Sequence, residues 1–230
     1  MKKYFSVLIC FLFCGFCFAE ENEVYTEELI EKTVKHKIEW TISFEPVLIL
    51  NTEDVKYSAP SPVVFPFSFG IIFPAELKLS FQPRLSLFAN YLLWYEDCAY
   101  PAEIENRTAT SFNCLLDFPA VYRFDITEKQ MLEAGGGLSL LLRYAKLSNG
   151  LDEDDEGYSG SAGSDTDEIN KWFWKDGNFL FISGNVDYLY KFSRRIKAGP
   201  EFRFYIPVGS LVSGNGLYHA MFSLGVKARF

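Results

Sequence analysis

The sequence predicts an all-β fold, an eight-stranded antiparallel up-and-down transmembrane β-barrel, and three observations support that prediction. Eight segments alternate apolar and polar residues with a period of two, the pattern of strands with two unlike faces. The connections between these segments are alternately short and long. Beyond the N-terminal segment the sequence has no run of 18 uninterrupted apolar residues, so no transmembrane helix competes with the strands.

The alternating segments follow one another from residue 36 to the C-terminus. In 37–45, every even-numbered residue is apolar and every odd-numbered residue is polar. The predicted strands are 36–48, 62–73, 76–96, 109–125, 131–147, 174–192, 196–208 and 217–230. Short turns follow the second, fourth and sixth strands, and longer connections follow the others. Tight turns at one rim and long loops at the other are typical of bacterial outer-membrane barrels.

The bulky face of the strands is expected to point toward lipid. Phe65, Phe67, Phe69, Ile71 and Phe73 share one face of the second strand, more bulk than the inside of an eight-stranded barrel accommodates. The alternative is a soluble barrel that places this face inside. Aromatic residues suited to bilayer interfaces also collect near the strand ends. They are Trp40, Phe73, Tyr122, Phe124, Tyr190, Phe192 and Phe230 at the turn side, and Tyr91, Tyr95, Phe112, Tyr144 and Tyr218 at the loop side.

Composition excludes two broad classes of protein. The 230 residues are 49% hydrophobic and 17% aromatic, which argues against disorder. The net charge of −8 argues against a nucleic-acid partner, which needs clustered basic residues. The acids concentrate in 20–31 and 152–168, neither of which contains a basic residue, so the remaining chain is mildly cationic.

The N-terminal residues predict export. Lys2 and Lys3 precede an apolar run over 4–16, and Cys17-Phe18-Ala19 places small residues where signal peptidase requires them. We therefore expect a cleaved signal peptide at 1–19, an N-terminal periplasmic leader at 20–35 and the barrel at 36–230. The alternative for the first segment is an uncleaved membrane anchor.

The polar face of the strands is expected to line the interior. Charges of both signs lie on it, as charges in a confined space require if they are to pair. Two interpretations stay open: a closed interior filled by ion pairs, or a narrow polar conduit. The predicted lumen-lining residues are Glu39, Glu45, Arg84, Asp117, Arg123, Glu133, Arg143, Asp187, Lys197, Glu201, Arg203, Lys227 and Arg229.

Other candidate sites are few. Asp152, Asp154 and Glu156 lie in the longest loop and are candidate calcium ligands, although the spacing of an EF-hand is absent and a solvated loop is the alternative. Cys98 and Cys114 either close a loop as a disulfide or stay free thiols. No cofactor is expected. An enzyme is not expected either, because no acid is spaced to orient His219, which lies near the outer rim, as a triad requires.

The C-terminus carries a family resemblance. Residues 223–230 read polar-x-Gly-x-x-apolar-x-aromatic, with Gly225 and Phe230 at the defining positions. This resembles the terminal signal that the outer-membrane assembly machinery recognises. With the signal peptide and eight strands, the chain resembles the small OmpA/OmpX/OmpW-like outer-membrane barrels over nearly all of 36–230.

That resemblance implies a monomer embedded in the lipid bilayer of the cell outer membrane. The expected function is a narrow channel for small solutes, including apolar ones that leave sideways into lipid as OmpW-like barrels allow. The alternative is a structural or surface-interaction barrel with a closed, salt-bridged interior, whose loops contact an external partner.

Overall fold

A computed structural model describes residues 37–52, 61–95, 97–102, 108–148, 162–175, 177–213 and 217–230. The predicted signal peptide, the predicted leader and the candidate calcium ligands Asp152, Asp154 and Glu156 lie outside these ranges. The described strands are β1 (Glu39–Phe44), β2 (Val47–Ile49), β3 (Val63–Val64), β4 (Phe67–Ile72), β5 (Leu79–Phe81), β6 (Arg84–Tyr95), β7 (Cys98–Pro101), β8 (Ala109–Asp125), β9 (Gln130–Ser148), β10 (Leu180–Lys191), β11 (Lys197–Pro207) and β12 (Met221–Arg229).

These segments form a closed barrel of eight antiparallel strands. The first barrel strand consists of β1 and β2, the second of β3 and β4, and the third of β5 and β6. The fourth to eighth are β8, β9, β10, β11 and β12, while β7 folds back on β6 as a hairpin. The barrel closes where β12 pairs with both β1 and β2. The predicted fold class is therefore confirmed.

Proline explains why three barrel strands are divided. Pro46 separates β1 from β2, Pro66 separates β3 from β4, and Pro83 separates β5 from β6. Proline has no backbone N–H, so it cannot donate a ladder hydrogen bond at these points. The pairing resumes on the far side of each proline, which bends the strand without opening the barrel.

Two helices lie in connections at the loop end, and the sequence reasoning missed both. α1 spans Ala162–Trp174 and α2 spans Val208–Ser213. The predicted sixth strand, 174–192, was placed too early, since Trp174 ends α1 and β10 begins at Leu180. Neither of these helices is long and apolar enough to cross a membrane.

The two faces of the barrel differ as the alternation predicts. The outer face exposes large apolar side chains, among them Trp40, Phe65, Phe67 and Phe69. The inner face buries charged and hydroxyl side chains. Tyr218 departs from the predicted interfacial belt, because its side chain is buried at the mouth of the barrel.

Candidate functional site: the barrel interior

The half of the interior next to the short turns, which we call the charged layer, is filled by ion pairs. Of the predicted lumen residues, ten are buried: Glu39, Glu45, Arg84, Asp117, Glu133, Asp187, Glu201, Arg203, Lys227 and Arg229. Lys197 is half-buried and donates to Glu39 Oε2 at 2.9 Å. These eleven residues come from seven of the eight barrel strands, and period-two alternation brings them to one side of the wall.

The upper part of the charged layer contains an ion pair that crosses the full barrel. Arg84 on β6 and Glu201 on β11 belong to the third and seventh barrel strands, which stand opposite each other in a ring of eight. Arg84 Nη1 donates to Glu201 Oε2 at 3.1 Å, and Arg84 Nη2 donates to Glu45. Arg203 donates to Asp117 Oδ2 at 3.0 Å and to Glu201 Oε2 at 3.3 Å.

The lower part of the charged layer is linked in the same way. Lys227 Nζ lies 2.8 Å from Asp187 Oδ2 and 3.4 Å from Glu133 Oε2. Arg229 donates to Glu133 and to Glu39. Cations on β12 thus reach carboxylates on the first, fifth and sixth barrel strands, which ties the closing strand to the rest of the wall.

Two predicted lumen residues stand apart from the charged layer. Arg123 lies at the turn rim, where it donates to the carbonyls of Ala75 and Glu76. Arg143 lies at the loop end of β9, with its guanidinium carbon 3.9 Å from the ring centre of Phe173. Neither has an ion pair with a residue of the charged layer among the described residues.

The half of the interior next to the long loops is mainly apolar, which the sequence reasoning did not foresee. Inward-facing side chains from all eight barrel strands form one buried cluster, which we call the apolar layer, together with Phe173 of α1. Its members are Val47, Ile49, Val64, Phe88, Leu115, Leu141, Phe173, Phe181, Tyr205 and Met221. The signal was available as interruptions of the alternation, such as Leu115-Leu116 and Leu140-Leu141-Leu142.

Above the apolar layer, α1 and the neighbouring loops close the mouth of the barrel. The Trp172 ring lies 5.1 Å from the ring of His219 and 6.3 Å from that of Tyr218. The Ala99 carbonyl accepts hydrogen bonds from both Tyr218 Oη and His219 Nε2. His219 adopts a left-handed backbone with φ of 65°, which is uncommon outside glycine.

The mouth keeps His219 uncharged. Burial lowers the pKa of His219 to about 3; the hydrogen bond to Ala99 opposes this shift and the positive charge of Arg143 adds to it. Because the pKa of His219 is lowered in the folded state, protonation of its imidazole favours conformations in which the ring is exposed to water. The contribution of His219 to stability is complete above its unfolded pKa of 6.5 and is lost as the pH falls toward 3.

We therefore expect the mouth to loosen in acid. Between about pH 6 and pH 3, the opening equilibrium should shift by up to about tenfold per pH unit. Hydrogen exchange of the α1 amides in the lipid-embedded barrel measures this directly. His219→Asn suits the left-handed backbone and does not titrate, so its exchange should lack that part of the pH dependence. Equal pH dependence in both proteins would contradict the assignment to His219.

The predicted alternative of a disulfide is not realised, because Cys98 and Cys114 are not bonded to each other. Cys114 stands opposite Leu87 of β6, whereas Cys98 stands opposite Tyr95, at the loop end of the same strand. At about 3.3 Å per residue, these two levels of β6 are about 26 Å apart. A disulfide requires Cα atoms within about 7 Å of each other.

No group of three or more histidine, cysteine or acidic residues that could hold a metal ion occurs in the part of the chain that the structure describes. The predicted assembly-signal residues take ordinary positions in the barrel. Gly225 lies within β12, and Phe230 exchanges backbone hydrogen bonds with Trp40 next to the turn rim.

An apolar outer face around a polar, ion-paired interior is the inverse of a soluble barrel. This is a β-barrel of the outer membrane. Comparison with protein-family models and with curated proteins gives no match.

Solved structures resemble the chain at low identity. They include Neisserial surface protein A (13% identity, covering 84% of this chain and 95% of that chain, TM-score 0.45). The Yersinia pestis attachment invasion locus protein Ail is 8% identical (84% and 97% covered, TM-score 0.38). The N-terminal β-barrel domain of Pseudomonas aeruginosa OprF is 12% identical (84% and 97% covered, TM-score 0.37). The strand pairing and the two unlike faces of the barrel themselves establish the fold and its place in a membrane.

Proposed function

We propose that the protein is a closed, non-enzymatic outer-membrane barrel that serves as a rigid structural or surface-interaction module. The observation that carries this proposal is the ion pair between Arg84 and Glu201, which joins opposite walls at 3.1 Å. Side chains that meet across the diameter leave no continuous path for a solute at that level. An eight-stranded barrel is just wide enough to be filled in this way.

Two further features favour a closed interior over the narrow channel that the sequence also suggested. The side chains of Arg84, Glu201 and Arg203 are each at most 3% exposed, so water has little access to the charges that a conduit would need. At the loop end, Phe173 and the apolar layer form a second barrier of a different chemical kind. A solute would have to cross both.

The surface that remains for function is the loop end. The β7 hairpin, α1 and the residues around His219 pack on one another through aromatic contacts, which close the mouth. Fixed loops on a rigid scaffold are the usual place for contacts with a partner. We propose that such a partner binds from outside the cell, and that the barrel itself is a monomer in lipid.

Conductance across a planar bilayer tests the closed interior. The full-length barrel should give no current steps above the lipid background, while a general porin in the same bilayers gives clear steps. A steady conductance whose ion selectivity changes sign with Lys227→Glu would overturn the proposal and favour the channel, because Lys227 belongs to the charged layer. Lys171→Glu is the matched control, since Lys171 lies exposed on α1 outside the lumen.

A further inference from the structure

The buried guanidinium of Arg143 is the feature of this barrel that the closed interior does not explain. Its three side-chain nitrogens are shielded from solvent and have no hydrogen-bond partner among the described residues. The residue as a whole is half-buried, so it is the polar head that lies deepest. An ionised group placed away from water without a counter-charge is strongly destabilising. The cation–π contact with Phe173 offsets only part of this cost.

Other polar groups at the same level also lack partners. Asn113 lies directly opposite Arg143 on the neighbouring strand β8, and its Oδ1 is buried and unbonded. The Ser111 hydroxyl, at the next inward-facing position of β8, is likewise unbonded among the described groups. The guanidinium of Arg143, the hydroxyl of Ser111 and the amide oxygen of Asn113 therefore lie on two adjacent strands, where the polar head of a ligand could bridge them.

The surroundings of this polar group are apolar. Leu115 and Leu141, which pair directly, lie one inward-facing position further into the barrel. Phe88, Phe181 and Phe173 of α1 belong to the same buried cluster. A site with one cation at its rim and aliphatic and aromatic walls beneath fits a ligand with a single anionic head and an apolar body.

We propose that the loop half of the interior is a binding site for a small amphipathic carboxylic acid. The carboxylate pairs with Arg143 through two parallel N–H···O hydrogen bonds, and the apolar body takes the place of Phe173 above Leu115 and Leu141. α1 acts as a lid whose Phe173 occupies the site in the unliganded protein. Binding here needs no passage through the charged layer, so it stands independently of the closed interior proposed above.

Calorimetric titration of the full-length barrel in lipid nanodiscs with octanoate tests this site, with empty nanodiscs as the blank. The barrel should bind octanoate saturably, at one molecule per chain. Octanol and octyltrimethylammonium have the same chain length but no negative charge, and each should bind at least about tenfold more weakly. Equal binding of octanol, or octanoate uptake that matches the empty nanodiscs, would overturn the proposal.

Two variants should change the affinity in opposite directions. Arg143→Met removes the charge while keeping an apolar chain, and should weaken octanoate binding by at least about tenfold. Phe173→Ala removes the competing ring and should tighten binding several-fold, whereas Phe179→Ala, a partly buried ring packed on the edge of the same cluster, should not. Unchanged affinity in Arg143→Met would reject the site.

Folding of the variants is checked by heat-modifiable migration. Absence of saturable binding in the folded Phe173→Ala protein also rejects the proposal. A purely structural role for Arg143 makes a distinct prediction, since Arg143→Met would then unfold more easily than wild type. The proposed site predicts the reverse, because the variant removes an uncompensated buried charge.

Discussion

Replacing Arg203 by glutamate is expected to lower the free energy of unfolding of the barrel by about 3–5 kcal/mol or more. Arg203 is buried and donates to two carboxylates, Asp117 at 3.0 Å and Glu201 at 3.3 Å. The substitution leaves both carboxylates without this partner and adds a third negative charge beside them. Urea unfolding from lipid vesicles, followed by tryptophan fluorescence, measures the loss.

The matched control for this prediction is Arg123→Glu. Arg123 also sits on the inward-facing side of its strand, but at the turn rim, where its side chain is 18% exposed and pairs with Asp125 at 3.2 Å. Arg123 also donates to the carbonyls of Ala75 and Glu76, so this variant should lose about 1–2 kcal/mol, clearly less than Arg203→Glu. If both variants lost the same stability, the central position of Arg203 in the charged layer would be irrelevant.

A charge exchange provides a second check on Arg203. The double variant Asp117→Arg with Arg203→Glu restores one cation and one anion at the same place. It should recover part of the stability lost in Arg203→Glu. The recovery is expected to be incomplete, because Asp117 also accepts hydrogen bonds from Ser139 and Ser183 at 2.7 Å each. If the double variant recovers no stability, the loss in Arg203→Glu comes from the altered shape of the side chain and not from its charge.

The barrel wall was predictable because one physical rule governs it. A strand between lipid and a polar interior must alternate apolar and polar side chains. Whether a residue stands at an odd or an even position of the strand therefore determines which face it lies on. β8 runs over 109–125 as predicted, and the inward positions of Asp117 and Arg203 follow from parity alone. Which charge meets which was not predictable. Ion pairs such as that of Arg84 with Glu201 depend on how strands that are far apart in sequence are shifted relative to one another. The period-two pattern gives no information about this shift.

The loop half was not predicted because two different rules operate there. Its inward-facing residues pack against α1 rather than against other charges, so apolar residues appear on both faces and the alternation fades. α1 has its own signal, since Ile169, Trp172 and Phe173 follow helical spacing and the first and last are buried. That signal is weak beside the acidic residues around it, which are typical of a solvated loop.

Gly225→Val is expected to prevent the barrel from closing even where no assembly machinery is present. A Cβ on Gly225 would lie 2.4 Å from Glu45 Cβ and 2.5 Å from the Phe44 carbonyl oxygen. Both distances are shorter than real Cβ contacts, so the backbone of one of the two strands would have to move. This contact lies where β12 passes from β1 to β2, opposite the bend at Pro46. The purified variant should fail to convert to the heat-modifiable form in lipid vesicles. Gly136→Val is the control, since Gly136 faces outward and its Cβ would come no nearer than 3.0 Å to a neighbouring atom.

Phe230 separates this steric role from the predicted role of the C-terminus in recognition. Its ring is exposed on the outer face, and only its backbone pairs with Trp40, so Phe230→Gln should fold in vesicles nearly as wild type does. If the terminal aromatic residue is read by the assembly machinery, the same variant should accumulate unfolded in cells. Gly225→Val should fail in both settings, because its defect lies in the barrel itself. Folding of Gly225→Val in vesicles together with failure in cells would instead assign Gly225 to the signal alone.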